Sequence, residues 1–206
     1  FGIGDYADPV KNLSHTADLA KKYNKPIIIT EGGSGYLSGN ADTTTFAADR
    51  IREAYTSLNM VYPQVKAIIH FDRSGSGYDY SLQNNATVQA AYNSALKSNP
   101  TLMSSPSQTV TQSFKPLSQV TGANGVVTLR AYCDVIGQTV TVTYSVDGKW
   151  VGTQKTVPYN CQLDTSTLTA GNHTLKVVFN APNGYSQTLN YQLTKAANGS
   201  VSFKQA

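Results

Sequence analysis

Acidic side chains are scarce in this chain. Glutamate occurs twice in 206 residues, at Glu31 and Glu53, and charged residues of both signs make up 14% of the whole. The net charge of +4 is confined to the second half. Phe1 to Ser105 carries nine Lys/Arg against nine Asp/Glu, and Pro106 to Ala206 carries seven against three, spread singly. Nucleic-acid binding calls for clustered Lys/Arg and a steeper excess, so no nucleic-acid partner is expected. No apolar run approaches the roughly 20 residues of a membrane-spanning helix. Two cysteines, three scattered histidines (His15, His70, His173) and no CxxC give no spacing that suggests a metal site, and neither a metal nor a cofactor is expected. What is present is a 40% hydrophobic content, enough to bury a core, and 13 Tyr among many Thr, Ser and Asn, which suits an extracellular β-rich surface. The chain opens at Phe1 without a basic or signal-like segment, so a processed chain or a piece of a larger one is expected.

The two halves differ in texture. The first alternates strand and helix signals. Phe1-Gly2-Ile3-Gly4 reads as a strand end, and Leu13 to Tyr23 as an amphipathic helix. Ile27 to Thr30 is a continuous β-branched run, as expected of a parallel strand buried on both faces. Thr43 to Met60 reads as a second helix with an apolar stripe of Ala47, Ile51, Ala54, Tyr55 and Leu58, and with Asp42 or Thr43 as its N-cap. Val65 to Phe71 is another buried-type strand, and Ala86 to Lys97 a third helix. This order predicts right-handed βαβ units on a parallel sheet.

Residues 101–116 are poor in bulky side chains and read as a linker. Beyond it the period becomes two. Val126–Tyr132, Val140–Val146, Trp150–Val157, Thr174–Phe179 and Gln187–Leu193 alternate, with turn signals at Asp147-Gly148, Gly171-Asn172 and Asn183-Gly184. That pattern predicts an antiparallel sandwich. Val201–Lys204 is either a last edge strand or the start of a further module. The simplest pairing of the only two cysteines, Cys133 and Cys161, is a disulfide in an oxidising compartment, the alternative being two buried thiols. His173 reads as a satisfied turn or surface residue, and Trp150 as a packing residue with ligand stacking as the alternative.

Of the two glutamates, Glu53 follows Arg50 and Arg52 on a helix and reads as part of a solvated face. Glu31 directly follows Ile27-Ile28-Ile29-Thr30, which places it at the carboxyl end of a parallel strand, where α/β barrels build their active sites. Asp5 and Tyr6, and Phe71 and Asp72, stand at the ends of the flanking strands, so the same rim is expected to gather them. Tyr36, Tyr78 and Tyr80 follow in loops, where flat amphipathic rings can stack on sugars. The Gly-rich loops Gly32-Gly33-Ser34-Gly35 and Ser74-Gly75-Ser76-Gly77 also admit a phosphate-binding barrel.

Lys25-Pro26-Ile27-Ile28-Ile29-Thr30-Glu31 resembles the penultimate barrel strand of the retaining glycoside hydrolases of the large (β/α)8 clan. Phe1 to Tyr6 resembles the preceding strand of the mannanase/glucanase-like family 26, and Val65 to Phe71 the last strand. The resemblance covers about residues 1–98. It implies that Glu31 is the catalytic nucleophile, that Tyr6 is the hydrogen-bond partner that orients it, that Phe71 is a sugar platform, and that Asp5, Asp72 and Arg73 are rim residues of unassigned role; Tyr36 is added to the substrate-binding surface by its loop position. A retaining mechanism needs a second carboxyl about 5–5.5 Å away as acid/base. In the clan that residue comes from the fourth strand, which has no counterpart here, so the chain alone is expected not to hydrolyse glycosides.

The series Pro158-Tyr159-Asn160, Leu163-Asp164-Thr165-Ser166 and Gly171-Asn172-His173-Thr174-Leu175, with Val142 to Gly152 before it, resembles a bacterial Ig-like module of the kind used as a spacer. The chain is thus expected to be multidomain, α/β followed by all-β. The last three βα units of a TIM barrel occupy 1–100, a linker 101–116, and an Ig-like β-sandwich 117–206. A barrel alone takes about 250 residues, so the expected function is that of a C-terminal portion of a secreted or cell-surface glycoside hydrolase acting on a β-linked polysaccharide. Its partners would be that polysaccharide and either the missing N-terminal barrel portion or another copy of the chain. The competing readings are a non-catalytic surface or stalk protein with a degenerate barrel, and the phosphate-binding barrel above.

Overall fold

The computed structural model describes residues 8–75, 77–103, 105, 107–110, 113–133, 135 and 138–206. The expected first strand at Phe1 to Gly4, with Asp5 and Tyr6, lies outside the described residues. The chain divides into two compact units, Phe1–Phe114 and Lys115–Ala206. No helix among the described residues is long and apolar enough to cross a membrane.

The first unit runs α1 (Pro9–Lys22), β1 (Ile27–Gly32), α2 (Ala41–Val61), β2 (Val65–His70) and α3 (Ala86–Ser98). Helix α1 starts four residues before its apolar periodicity because Asp8-Pro9 caps it. The Asp8 carboxylate accepts from the backbone N–H groups of Val10 (2.7 Å) and Lys11 (3.1 Å), while Pro9 occupies a position whose N–H has no intrahelical partner. Helix α2 is capped by Asn40, whose Oδ1 accepts from Thr43 N at 2.9 Å, rather than by Asp42 or Thr43. Its stripe Ala47, Ile51, Ala54, Tyr55 and Leu58 is buried. Glu53 departs from expectation. It is 4% exposed and paired with Arg50 at 2.9 Å, so this carboxylate is neutralised inside the unit instead of solvated.

Strands β1 and β2 pair in parallel, with Ile27 opposite Val65 and Gly32 opposite His70. Ala17 and Ala20 of α1 pack on Ile27 and Val65, with Ile29 and Ile68 beside them. The other face is not covered among the described residues, for Ile28 is 61% and Ile69 56% exposed. Burial on both faces is therefore corrected to burial on one. A β-branched run reads alike in the sequence whether one face or two are covered, because Ile favours the extended backbone in either case.

Asn99 closes the unit beyond α3. Its Nδ2 donates to the Tyr55 carbonyl (2.8 Å) and to Asn59 Oδ1 (3.0 Å), and its Oδ1 accepts from Thr101 N (3.1 Å) and Thr101 Oγ1 (2.7 Å). This buried amide ties α2 to the chain after α3. Asn99→Ala is expected to destabilise the unit by about 2–3 kcal/mol, since the Tyr55 carbonyl and the Asn59 amide lose a buried partner. Urea unfolding of the two proteins measures it.

The second unit is a β-sandwich. It contains β3 (Val126–Leu129), β4 (Thr141–Val146), β5 (Lys149–Gln154), β6 (Cys161–Asp164), β7 (Gly171–Asn180), β8 (Ser186–Lys195) and β9 (Val201–Gln205). A two-stranded sheet, β3-β6, faces a five-stranded antiparallel sheet in the order β5-β4-β7-β8-β9. Alternation fills the space between them: Leu129, Leu163, Val142, Tyr144, Leu175, Phe179, Leu193 and Phe203 form one buried cluster. Tyr144 carries its hydroxyl into that core, where it donates to the Tyr159 carbonyl at 2.6 Å. Strand β9 pairs with β8 and is an edge strand of this sheet, not the start of a further module.

No disulfide joins Cys133 and Cys161, which corrects that expectation. Cys161 sits on β6 with its sulfur turned toward β5, where a Cβ added to Gly152 would lie 2.8 Å from it. Cys133 lies half-buried beyond the end of β3. Burial raises the Cys161 thiol pKa and keeps the sulfur protonated.

The β4–β5 turn is Asp147-Gly148, both with positive φ (50° and 76°), the backbone of a two-residue hairpin that favours Asp-Gly. Asp147 also receives His173: Nδ1 lies 2.6 Å from Asp147 Oδ2, and Nε2 lies 2.9 Å from the Thr169 carbonyl. Both partners only accept, so both ring nitrogens carry protons and His173 is an imidazolium. Its pKa is raised by the Asp147 hydrogen bond first and the Thr169 carbonyl second, against a small desolvation and Lys195. A folded-state pKa above the unfolded value of about 6.5 contributes stability fully below that value and loses it as pH rises through the folded pKa. Asp147, whose pKa is lowered chiefly by the same hydrogen bond, contributes above its unfolded value and loses that as pH falls. The melting temperature of the sandwich is expected to fall from pH 6 to pH 8 in the wild type, and to do so less in His173→Gln.

Candidate functional site

The carboxyl ends of β1 and β2 form a common rim. Glu31 stands exposed near the end of β1, and Gly32 beyond it is buried opposite His70. The Gly32 carbonyl accepts from Phe71 N at 3.2 Å and lies 3.4 Å from the Tyr55 hydroxyl. The rim thus brings Glu31 and Phe71 to adjacent strand ends, with Asp72 and Arg73 exposed in the loop that follows.

An aromatic cluster underlies it. The Tyr55 hydroxyl is 3.1 Å from His70 Nδ1, the Tyr55 and Tyr92 rings meet edge-on at 4.9 Å, and His70 lies 5.1 Å from Tyr92. Burial lowers the His70 pKa, opposed by the Tyr80 backbone and by Asp72, so the imidazole is neutral at pH 7. Burial raises the Tyr55 hydroxyl pKa, so it stays protonated. Tyr55, His70 and Tyr92 therefore form an uncharged support that fixes the ends of both strands. In the sequence Tyr55 shows only as one member of an apolar stripe, and His70 only as a scattered histidine. The signal that joins them is that His70 directly precedes Phe71 at a strand end.

The glycines after Glu31 serve close packing. A Cβ on Gly33 would lie 3.0 Å from the Phe71 carbonyl, and one on Gly35 would lie 2.9 Å from the Tyr80 ring. The loop after β1 is pressed against the loop after β2, leaving Gly32 to Tyr36 buried. That argues against an open phosphate cradle at Gly32 to Gly35. Ser76 of the second Gly-rich loop lies outside the described residues.

Tyr36 is 1% exposed. Its hydroxyl donates to the Ser81 carbonyl at 2.7 Å, and its backbone pairs with Asp79 in both directions (2.9 and 2.8 Å). It pins the two loops together from inside and has no open face for a sugar, which corrects its expected place on the substrate-binding surface. Burial, then Asp79 and Asp72, raise its pKa. The exposed aromatic surface comes instead from Tyr78 and from half-buried Phe71, whose ring meets Tyr80 edge-on at 5.2 Å. Asp5 and Tyr6 lie outside the described residues. Among the described residues no group of three or more His, Cys, Asp or Glu could hold a metal ion.

Residues 106–177 match the bacterial Ig domain family model. The antiparallel sandwich of the second unit is consistent with a bacterial Ig-like domain over the matched residues. No curated protein matches the sequence. The X-ray structure of the endo-beta-1,4-mannanase from Thermotoga petrophila aligns with 89% of this chain at 14% identity and a TM-score of 0.29. The aligned part is 42% of that enzyme's chain, so this chain spans less than half its length. At that TM-score the likeness carries no argument about fold or function.

Proposed function

We propose that the first unit is the C-terminal part of a (β/α)8 retaining glycoside hydrolase acting on a β-linked polysaccharide, and that the Ig-like domain is its extracellular spacer. The observation that carries this reading is an exposed glutamate at the carboxyl end of a parallel strand, beside a half-exposed aromatic at the end of the next. Glu31 is the nucleophile. Its carboxylate attacks the anomeric carbon as the glycosidic bond breaks, forming a glycosyl ester that water then hydrolyses. Phe71 offers a ring edge and face to the sugar, held by its packing on Tyr80.

The general acid comes from elsewhere. Glu53, the other glutamate, is buried against Arg50 and cannot reach a leaving group. The acid is supplied by a further barrel segment or by another copy of the chain, which also covers the exposed face carrying Ile28 and Ile69. Residues 1–206 alone are expected to release no reducing sugar from β-mannan, β-glucan or xylan, whereas the completed barrel does so. Glu31-dependent turnover by the isolated chain would show that the acid lies within it. Full activity of the completed barrel after Glu31→Gln would remove the assignment of Glu31.

The match to bacterial Ig domains also supports a second reading, a non-catalytic surface protein in which the α/β unit only packs. Binding of polysaccharide without hydrolysis by the completed barrel would favour it.

A further inference from the structure

Trp150 is the single tryptophan of the chain, and it stands 71% exposed on β5, an edge strand of the five-stranded sheet. Its orientation is built by a β-bulge. Ser145 of β4 opposes Trp150 while Tyr144 opposes Gly152, so Val151 is an extra residue on β5. Uninterrupted alternation would send residues 150 and 153 to opposite faces. The bulge instead puts both on the outward face with Thr143 and Ser145, away from the buried Val142, Tyr144 and Val146. There Trp150 Nε1 donates to Thr153 Oγ1 at 3.1 Å, and Thr153 Oγ1 lies 3.3 Å from Thr143 Oγ1. The first of these bonds ties the exposed indole to its own strand, and the second ties Thr153 to β4.

The register extends this into a row. Trp150 is opposite Ser145, Ser145 opposite Lys176, and Lys176 opposite Asn190. Three interstrand gaps give the row a span of about 14 Å, the length of a short oligosaccharide. The outward positions paired across β5, β4, β7 and β8 carry hydroxyls, amides, Lys176 and a half-buried Val178, and no carboxylate. A protein interface needs a desolvated apolar centre, which one indole among Thr, Ser and Asn does not provide. A pyranose does match: its C–H face stacks on a flat aromatic ring, and its hydroxyls meet the Ser145 hydroxyl, the Asn190 amide and the Lys176 ammonium.

We infer that this outward face of the Ig-like domain binds a neutral polysaccharide, with one sugar ring stacked on Trp150 and neighbouring sugars met by Ser145, Lys176 and Asn190. The inference goes beyond the spacer role proposed above and does not depend on Glu31.

The lone tryptophan makes the test specific to this face. The whole chain is titrated with soluble galactomannan, β-glucan and xylan while tryptophan emission is followed, and the same polymers are cast into native gels. The expected result is a saturable blue shift with at least one polymer. Gel retardation by that polymer should weaken about tenfold in Trp150→Ala and survive in part in Trp150→Tyr. Trp150→Ala should keep the wild-type circular dichroism and melting temperature, because the side chain is exposed. No emission change with any of the three polymers overturns the inference, as does equal retardation of wild type and Trp150→Ala. A concentration-dependent dimer that Trp150→Ala dissolves, seen by sedimentation, also overturns it and assigns the face to a second copy.

Discussion

Glu31→Ala is expected to lower hydrolysis of a β-linked polysaccharide by the completed barrel roughly a thousandfold or more. Alanine removes the atom that forms the glycosyl ester and leaves space where the carboxylate stood. Azide can enter that space, so with an activated aryl glycoside turnover should return as azide is added, and the product should be the glycosyl azide of inverted configuration. A merely structural role for Glu31 predicts neither the rescue nor the inversion. The side chain is exposed, so its loss should leave the melting temperature of the first unit within a few degrees of wild type. Preserved folding with abolished turnover separates chemistry from stability.

The second large effect is on stability. Phe179→Ala is expected to cost about 3–5 kcal/mol, equivalent to a fall in Tm of roughly 20 °C for a domain of this size. Phe179 is among the largest fully buried side chains. It sits on β7 opposite Val142 of β4 and Gln187 of β8, in the middle of the five-stranded sheet. Tyr144, Leu175, Leu193 and Phe203 surround the same core and are themselves fixed by strand pairing, so the cavity cannot collapse without breaking register. Phe179→Leu should cost appreciably less, because most of the volume is kept. Scanning calorimetry on the three proteins measures both differences.

Alternation made the sandwich strands readable because burial on one face imposes it. Strand β4, with Val142, Tyr144 and Val146 inward and Thr143 and Ser145 outward, is the plainest case. Strand β6 was less visible: four residues, Cys161 to Asp164, alternate too briefly to stand out from the flanking turns. The bulge at Val151 was not legible at all, since it depends on how β5 meets β4 in space. That hidden shift decides whether Trp150 faces core or solvent.

In the first unit Ile27 to Thr30 correctly announced a parallel strand, and with it the position of Glu31. Side-chain fates were harder to read. Tyr36 follows a glycine-rich loop, where exposure is the ordinary expectation, but Gly33 and Gly35 let the two loops close on each other and bury it. Glu53 lies three residues after Arg50 on α2, a spacing found equally on solvated faces and in buried ion pairs. Only the packing of the helix distinguishes them. The cysteine pair shows the same limit. Elimination left one possible partner for each, but Cys161 is directed at Gly152.

The most direct measurement is the identity of the residue that becomes covalently glycosylated. The completed barrel is treated with a 2-deoxy-2-fluoro glycoside bearing a good leaving group, which slows release of the intermediate more than its formation, then digested and sequenced by mass spectrometry. A glycosyl ester on Glu31, absent from Glu31→Gln, is the expected result. Labelling of another carboxylate, or no adduct in a barrel that hydrolyses the parent substrate with retention, would contradict the assignment of Glu31 as nucleophile.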